Sequence, residues 1–258
     1  MALETTPAGL ADAGHLPLIG CAGWSLPREF WPHFAADGTH LQRYASRFAV
    51  VEINSSFYRP HRPATYARWA ASVPATFRFA AKLPRRITHE LRLRDSDAAL
   101  SIFLAEVTAL QSQLGCLLVQ LPPSLAFDHA VAETFFTSLR HQFSGGVVCE
   151  PRHASWFEPA AEALLTAYQI ARVAADPAPV PAAADPGGWD GLVYYRWHGS
   201  PKMYYSAYSP ADLARVSQQL AAAAQSGRPV WWIFDNTAEG AAISNALAVL
   251  DNAQLAKN

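Results

Sequence analysis

Glu52 and Glu150 are the carboxylates best suited to acid/base work, because each lies at or near the end of a short apolar run. A carboxyl kept protonated beside one kept ionised can serve as general acid and general base. On strands far apart around a sheet, their separation suits inverting rather than retaining glycoside chemistry. The plainer alternative is that each simply pairs with Lys82, Arg152 or Arg172 to settle buried charge.

Cations gather at the ends of the same runs. Lys82, Arg152 and Arg196, with His153 and His198, form a cationic half-ring against which Glu150 and Asp176 balance only part of the charge. Arginine forks bind carboxylate or phosphate bidentately, so a small anionic substrate is the implied partner. A Schiff-base role for Lys82 requires a depressed pKa, which burial or flanking cations supply. Asn54, Tyr58, Gln120, Trp156 and Asn236 lie at or just beyond run ends and complete the candidate substrate-binding set. Aromatics there either stack a ligand or seal loops onto a rim, as do Trp24, Phe57, Tyr204, Tyr205 and Tyr208. The 82–94 loop adds Arg85, Arg86, His89 and Arg92 against Glu90, either as a solvated surface or as a nucleic-acid contact. A metal could draw on Glu52, Glu150, His153, His198 and Asp235. No ligand-spacing motif supports one, so no cofactor is expected and a divalent metal stays an alternative.

The elements that must carry these residues repeat along the chain. Apolar runs at 18–24, 50–54, 77–82, 116–122, 147–150, 171–176, 192–199 and 230–236 read as buried strands. Helical segments read at 39–47, 63 onward, 95–113, 130–142, 158–168, 210–225 and 239–251. Eight strands alternating with helices predict a single (β/α)8 TIM barrel, with chemistry at the strands' C-terminal ends. The Pro-, Gly- and Ala-rich 177–191 predicts an irregular crossover after the sixth strand.

Alternation sharpens the expectation, since residues two apart share a strand face. Val51, Ile53, Phe79, Ala81, Leu117, Val119, Leu121, Val147, Cys149, Val193, Tyr195 and Trp197 form a set suited to cover by helices. The opposite set, Glu52, Asn54, Lys82, Gln120, Glu150, Arg152, Arg172, Asp176, Arg196 and His198, is expected to face the barrel mouth. The eighth strand is apolar on both faces until Asp235 and Asn236.

Composition sets the bounds. Hydrophobic residues make up 51% and charged residues 16%, which fits many strands buried on both faces. A net charge of −1 gives no global pull toward polyanions or membrane surfaces, and no run is long enough to span a bilayer. Cys21, Cys116 and Cys149 each lie in a separate apolar run, so three reduced thiols in a cytoplasmic setting are expected. Residues 1–16 read as a flexible tail and 17–258 as the barrel domain.

The blocks Glu52-Ile53-Asn54-Ser55-Ser56-Phe57-Tyr58-Arg59, Phe77-Arg78-Phe79 with Lys82, and Gln120-Leu121-Pro122-Pro123-Ser124 resemble the YecE-like family, a domain of unknown function (DUF72). Glu150 with Arg152-His153-Ala154-Ser155-Trp156, Arg196-Trp197-His198-Gly199, and Asn236-Thr237 followed by Asn245-Ala246 match it too. The resemblance covers about 18–250 and implies a TIM barrel, without an established activity. Pro151 and the 177–190 stretch are local departures. Together the residues point to an enzyme, a hydrolase or a lyase or isomerase, working by acid/base chemistry on a small polar substrate. That substrate is expected to be an anionic sugar or phosphorylated compound. The rivals are a metal-dependent nucleic-acid phosphodiesterase and a non-catalytic ligand-binding barrel.

Overall fold

The computed structural model describes residues 17–225 and 227–255; the expected tail, 1–16, lies outside them. Eight parallel staves form the sheet. They are β1 (Leu18–Ala22), β2 (Val50–Ile53), β3 (Arg78–Lys82), β4 (Leu114–Gln120) and β5 (Gly146–Glu150), then β6 in two pieces (Ala171–Arg172 and Ala174–Asp176), β7 (Val193–Trp197) and β8 (Val230–Phe234). Each pairs with its sequence neighbours, and β1 pairs with β8. The first piece of β6 pairs with β5 and the second with β7, so the ring closes through the break at Val173. Counting both pieces, and the two-residue antiparallel strand Gly187–Gly188 on the first piece, gives ten strands. That small strand and a 3-10 turn, Pro181–Ala184, occupy the crossover after β6, which has no α-helix.

Among the described residues, seven α-helices longer than one turn wrap the sheet: α1 (His40–Ala45), α2 (Pro63–Ala71), α3 (Asp97–Val107), α4 (His129–Gln142), α5 (Pro159–Ala167), α6 (Pro210–Gln225) and α7 (Ala241–Leu255). Their starts follow local chemistry. Thr39 and Gln42 form a capping box on α1, and Pro63 and Pro159 occupy first-turn positions where no N–H is needed. The helix expected over 95–113 ends earlier, at Val107. A 3-10 segment follows and is broken by Gln111 in the left-handed region at φ 55°.

The two strand faces build two separate apolar clusters. The outer one joins Val51, Ile53, Phe79, Ala81, Leu117, Val119, Leu121, Val147, Cys149, Val193 and Trp197 to the helices. The inner one collects Val50, Ala80, Cys116, Leu118, Val148, Ala171, Val173 and Tyr194. Strand β8 resolves as Trp231 and Ile233 inward, Trp232 and Phe234 outward. Trp231 stacks on Tyr194 at 5.9 Å and presses on Gly115, where a Cβ would lie 2.5 Å from the indole. Above this apolar filling, the ends of β2, β3, β5 and β7 carry charge.

Candidate active site

Arg196, the penultimate residue of β7, is 0% exposed and is ringed by three carboxylates. It donates from Nη2 to Glu52 Oε1 at 2.7 Å and from Nη1 to Glu150 Oε2 at 3.0 Å, and pairs with Asp235 Oδ2 at 2.9 Å. Tyr194 donates its hydroxyl to the other oxygen of Glu52 at 2.9 Å. His198 lies between two carboxylates, with Nε2 2.9 Å from Glu150 and Nδ1 3.0 Å from Asp235. Arg152 closes the far side of Glu150 at 2.8 Å and reaches Tyr204 Oη at 3.4 Å. Burial alone would raise the Glu150 carboxyl, but Arg152, Arg196 and His198 hold it well below the usual carboxylate range. Burial opposes ionisation of Asp235 too, and there Arg196 and His198 reverse it. The carboxylates in turn outweigh burial at Arg196 and hold its guanidinium firmly protonated. Glu150, Asp235 and Arg196 are therefore charged, and each has hydrogen-bonded partners, the condition under which a buried ionic network is tolerated.

Lys82, the last residue of β3, is held differently. The one-turn helix Ser55–Tyr58 follows β2, and its Ser56 hydroxyl reaches the Lys82 carbonyl at 2.7 Å. That tie sets the Phe57 ring 4.0 Å from the Lys82 Nζ. A π-helical turn, Arg86–Glu90, then brings His89 edge-on to the same ring at 4.9 Å. Lys82 is 5% exposed, and its amino group makes no ion pair or hydrogen bond among the described residues. Burial, then the charge of Arg196, pushes the amine down to about 8 against the opposing pull of Glu52, Asp235 and Glu150. Burial and the charges of Lys82, Arg85 and Arg152 lower the His89 imidazole to about 4.

A family model described as "Protein of unknown function DUF72" matches residues 18–258. The chain belongs to the DUF72 family. It is 33% identical over 140 residues to the UPF0759 protein YecE of Escherichia coli, covering 54% of this chain and 49% of that protein. It is 29% identical over 150 residues to the UPF0759 protein YunF of Bacillus subtilis, covering 55% of this chain and 52% of that one. The chain thus matches about half the length of each relative. A DUF72 crystal structure from Enterococcus faecalis superposes with a TM-score of 0.77 at 22% identity, over 93% of this chain and 96% of that one. One from Thermotoga maritima gives 0.73 at 21%, over 95% and 100%. These solved neighbours bear out the barrel.

Within this DUF72 barrel, the structure brings Glu52, Lys82, Glu150, Arg152, Arg196 and His198 together at the strands' C-terminal ends and separates several others. Arg172 points outward, because Ala171 and Val173 take the inner positions on either side of it. It binds Glu162, accepts cover from the Phe157 ring and donates to the carbonyls of Ala182 and Asp185. Asp176 is taken by the Tyr208 hydroxyl at 2.7 Å, so the carboxylates that balance Arg196 are Glu52, Glu150 and Asp235. Trp156 is a core residue, its indole N–H donating to the Leu125 carbonyl at 3.0 Å and its ring edge-on to Phe127. His153 caps the 3-10 turn Ala154–Phe157 by accepting from the Ser155 amide. Asn236 straps the rim, donating to Ser206 O and Asn245 Oδ1. Tyr58 is 74% exposed, its ring edge-on to Phe57.

Gln120 is buried at the end of β4, and the side-chain oxygen of Asn54, two residues past Glu52, is buried with no donor among the described residues. In the basic loop, Arg85 and Arg86 pair with Glu90, and Arg92 donates to Ser124. His89, grouped with them by charge, is the member placed beside Lys82 and Phe57. Asp235 and Tyr204 are the others that charge and spacing did not assign to a role beside Arg196 and Arg152. Among the described residues, no group of three or more His, Cys, Asp or Glu is arranged to hold a metal. No helix among the described residues is long and apolar enough to cross a membrane. Three cavities, of about 280, 260 and 240 Å³, are lined by Phe57 and Arg85, by Gly23 and Thr237, and by Arg92 and Phe127 among others.

Proposed function

We propose that the mouth is a catalytic site that moves protons on a small polar, anionic substrate of the sugar or phosphorylated class. The observation that carries this reading is the Lys82 amine, buried against Phe57 without a carboxylate partner while three carboxylates crowd Arg196 close by. An amine that titrates near working pH can both accept and return a proton. Charge layering favours an anion. Glu52, Glu150 and Asp235 are almost wholly covered, while the side chain of Arg152 keeps 14% exposure at the opening. Arg152 is assigned to hold the anionic group, and Gln120 and the unpaired oxygen of Asn54 to meet substrate hydroxyls. Glu52 and Glu150 act through Arg196 as positioning residues, since each carboxylate is already engaged by the guanidinium. Three buried, unpaired thiols support a cytoplasmic location.

A thermal-shift screen of sugar phosphates, sugar acids and short carboxylates tests the reading, because a ligand that binds the folded state raises its melting temperature. Compounds that stabilise the wild type and lose their effect in Arg152→Ala are expected. A panel that shifts neither protein overturns it.

A further inference from the structure

We propose that Lys82 forms a covalent imine with its substrate, so that the site takes a small aldehyde or ketone carrying an anionic group. The inference rests on the reading of the mouth as a site that uses the Lys82 amine, and names the substrate class.

Residue usage supplies the first argument. The chain has seventeen arginines and three lysines, Lys82, Lys202 and Lys257. Where it buries a cation for structure it uses arginine, at Arg43, Arg78, Arg172 and Arg196. Lys202 is exposed over Tyr205, and Lys257 lies outside the described residues. Lys82 is thus the buried lysine among the described residues. A guanidinium would serve charge equally well there but cannot lose its proton to become a nucleophile.

Geometry supplies the second. A lysine becomes nucleophilic when desolvated and set beside another cation. Lys82 has both conditions: it is 5% exposed at the end of β3, and the charge of Arg196 disfavours its charged form, which outweighs the cation–π attraction of the Phe57 ring at 4.0 Å. Among the described residues, no carboxylate pairs with the amine to hold it protonated. The His89 imidazole abuts the same Phe57 ring, with its Nδ1 2.8 Å from the Thr88 hydroxyl.

The chemistry balances without an oxidant or reductant. The free amine attacks the carbonyl carbon, a C–N bond forms, and the carbonyl π pair moves to oxygen, which takes a proton. The C–O bond of this carbinolamine then breaks, the nitrogen lone pair completes C=N, and both amine hydrogens leave with the oxygen as water. The imine nitrogen then draws electrons from the adjacent carbon, which is what a proton-transfer site needs.

Borohydride trapping is the experiment. Wild-type protein is incubated separately with glycolaldehyde, dihydroxyacetone phosphate and pyruvate, reduced with borohydride, and mapped by peptide mass. Lys82 is expected to carry roughly tenfold or more adduct than Lys202, as the free-base fraction near neutral pH rises about tenfold per unit of lowered pKa. Because both lysines are in the same folded molecule, the comparison holds even if Lys82→Arg fails to fold. Where it folds, that variant takes adduct only at the other lysines. Adduct spread evenly over the lysines overturns the proposal. If Lys82 takes no adduct while the same compounds still raise the melting temperature, the imine falls and the proton-transfer reading stands. If there is neither adduct nor stabilisation by any anionic compound, both fall.

Discussion

Arg196 and Lys82 rise from β7 and β3 toward one mouth, yet their surroundings differ in kind. Arg196 meets carboxylate oxygens from three strands' ends and is held protonated. Lys82 meets an aromatic face and a neighbouring cation, and its charged form is disfavoured. Both side chains are buried, so burial alone does not distinguish them; the partners do. A fixed charge suits the group that orients Glu52, Glu150 and Asp235, and a labile proton suits the group that reacts. Each way of breaking this contrast has its own sign and size.

The largest effect is expected from Arg196→Met. It leaves three buried carboxyl groups without their common counter-charge, and removing one partner of a buried ionic network costs about 3–5 kcal/mol. Urea denaturation at neutral pH should show a loss on that scale or no folded protein. A loss near zero would mean that the carboxylates are held by other groups, and Arg196 would cease to be the organiser of the mouth.

The opposite sign is expected at the other cation. The Lys82 amine titrates at about 8 in the folded chain and at 10.5 when unperturbed. Between these values the unfolded chain holds a proton that the folded chain has released, so wild-type stability rises with pH across that window. Below pH 8 the folded protein keeps a charge it disfavours. Lys82→Met removes it, and should gain on the order of 1–3 kcal/mol at pH 7 while abolishing the borohydride adduct. Its stability should also lose the rise between pH 8 and 10.5. Denaturation of both proteins at pH 7 and 10 checks this, and a destabilised variant at pH 7 would show that the amine is a structural cation after all.

Much of this contrast is foreshadowed in the sequence. Alternation along each strand places Glu52, Lys82, Gln120, Glu150 and Arg196 on the inner face, because pleating is a local property with a period of two. It misplaces Arg172, because the small apolar residues on either side, Ala171 and Val173, take the inward positions and leave the guanidinium on the outer face. It is silent on which carboxylate meets which cation. Asp235 reaches Arg196 only because β8 pairs with β7 in the closed ring, with Ile233 opposite Arg196. Such pairing depends on register between strands, which no single strand encodes. The π-helical turn that swings His89 to Phe57, while Arg85 and Arg86 stay on the surface, has no periodic signature either. Trp156 was misread for a different reason: an aromatic at a strand end serves a ligand or the rim equally well until its N–H finds a partner, here the Leu125 carbonyl.

His153 sharpens the comparison at its margin and carries the smallest expected effect. It lies one residue beyond Arg152, yet its Nδ1 accepts from the Ser155 amide at 3.2 Å and faces the Ser155 hydroxyl at 2.8 Å. That hydroxyl in turn accepts from the Phe127 amide at 2.7 Å, so the imidazole fixes the β5 loop against the preceding one. His153→Ala removes a helix-cap acceptor and should cost about 1 kcal/mol in denaturation. It should leave the Lys82 adduct yield and the Arg152-dependent thermal shifts as they are. A variant that keeps its stability but loses ligand binding would move His153 into the site, and the division between orienting and reacting groups would have to be redrawn around it.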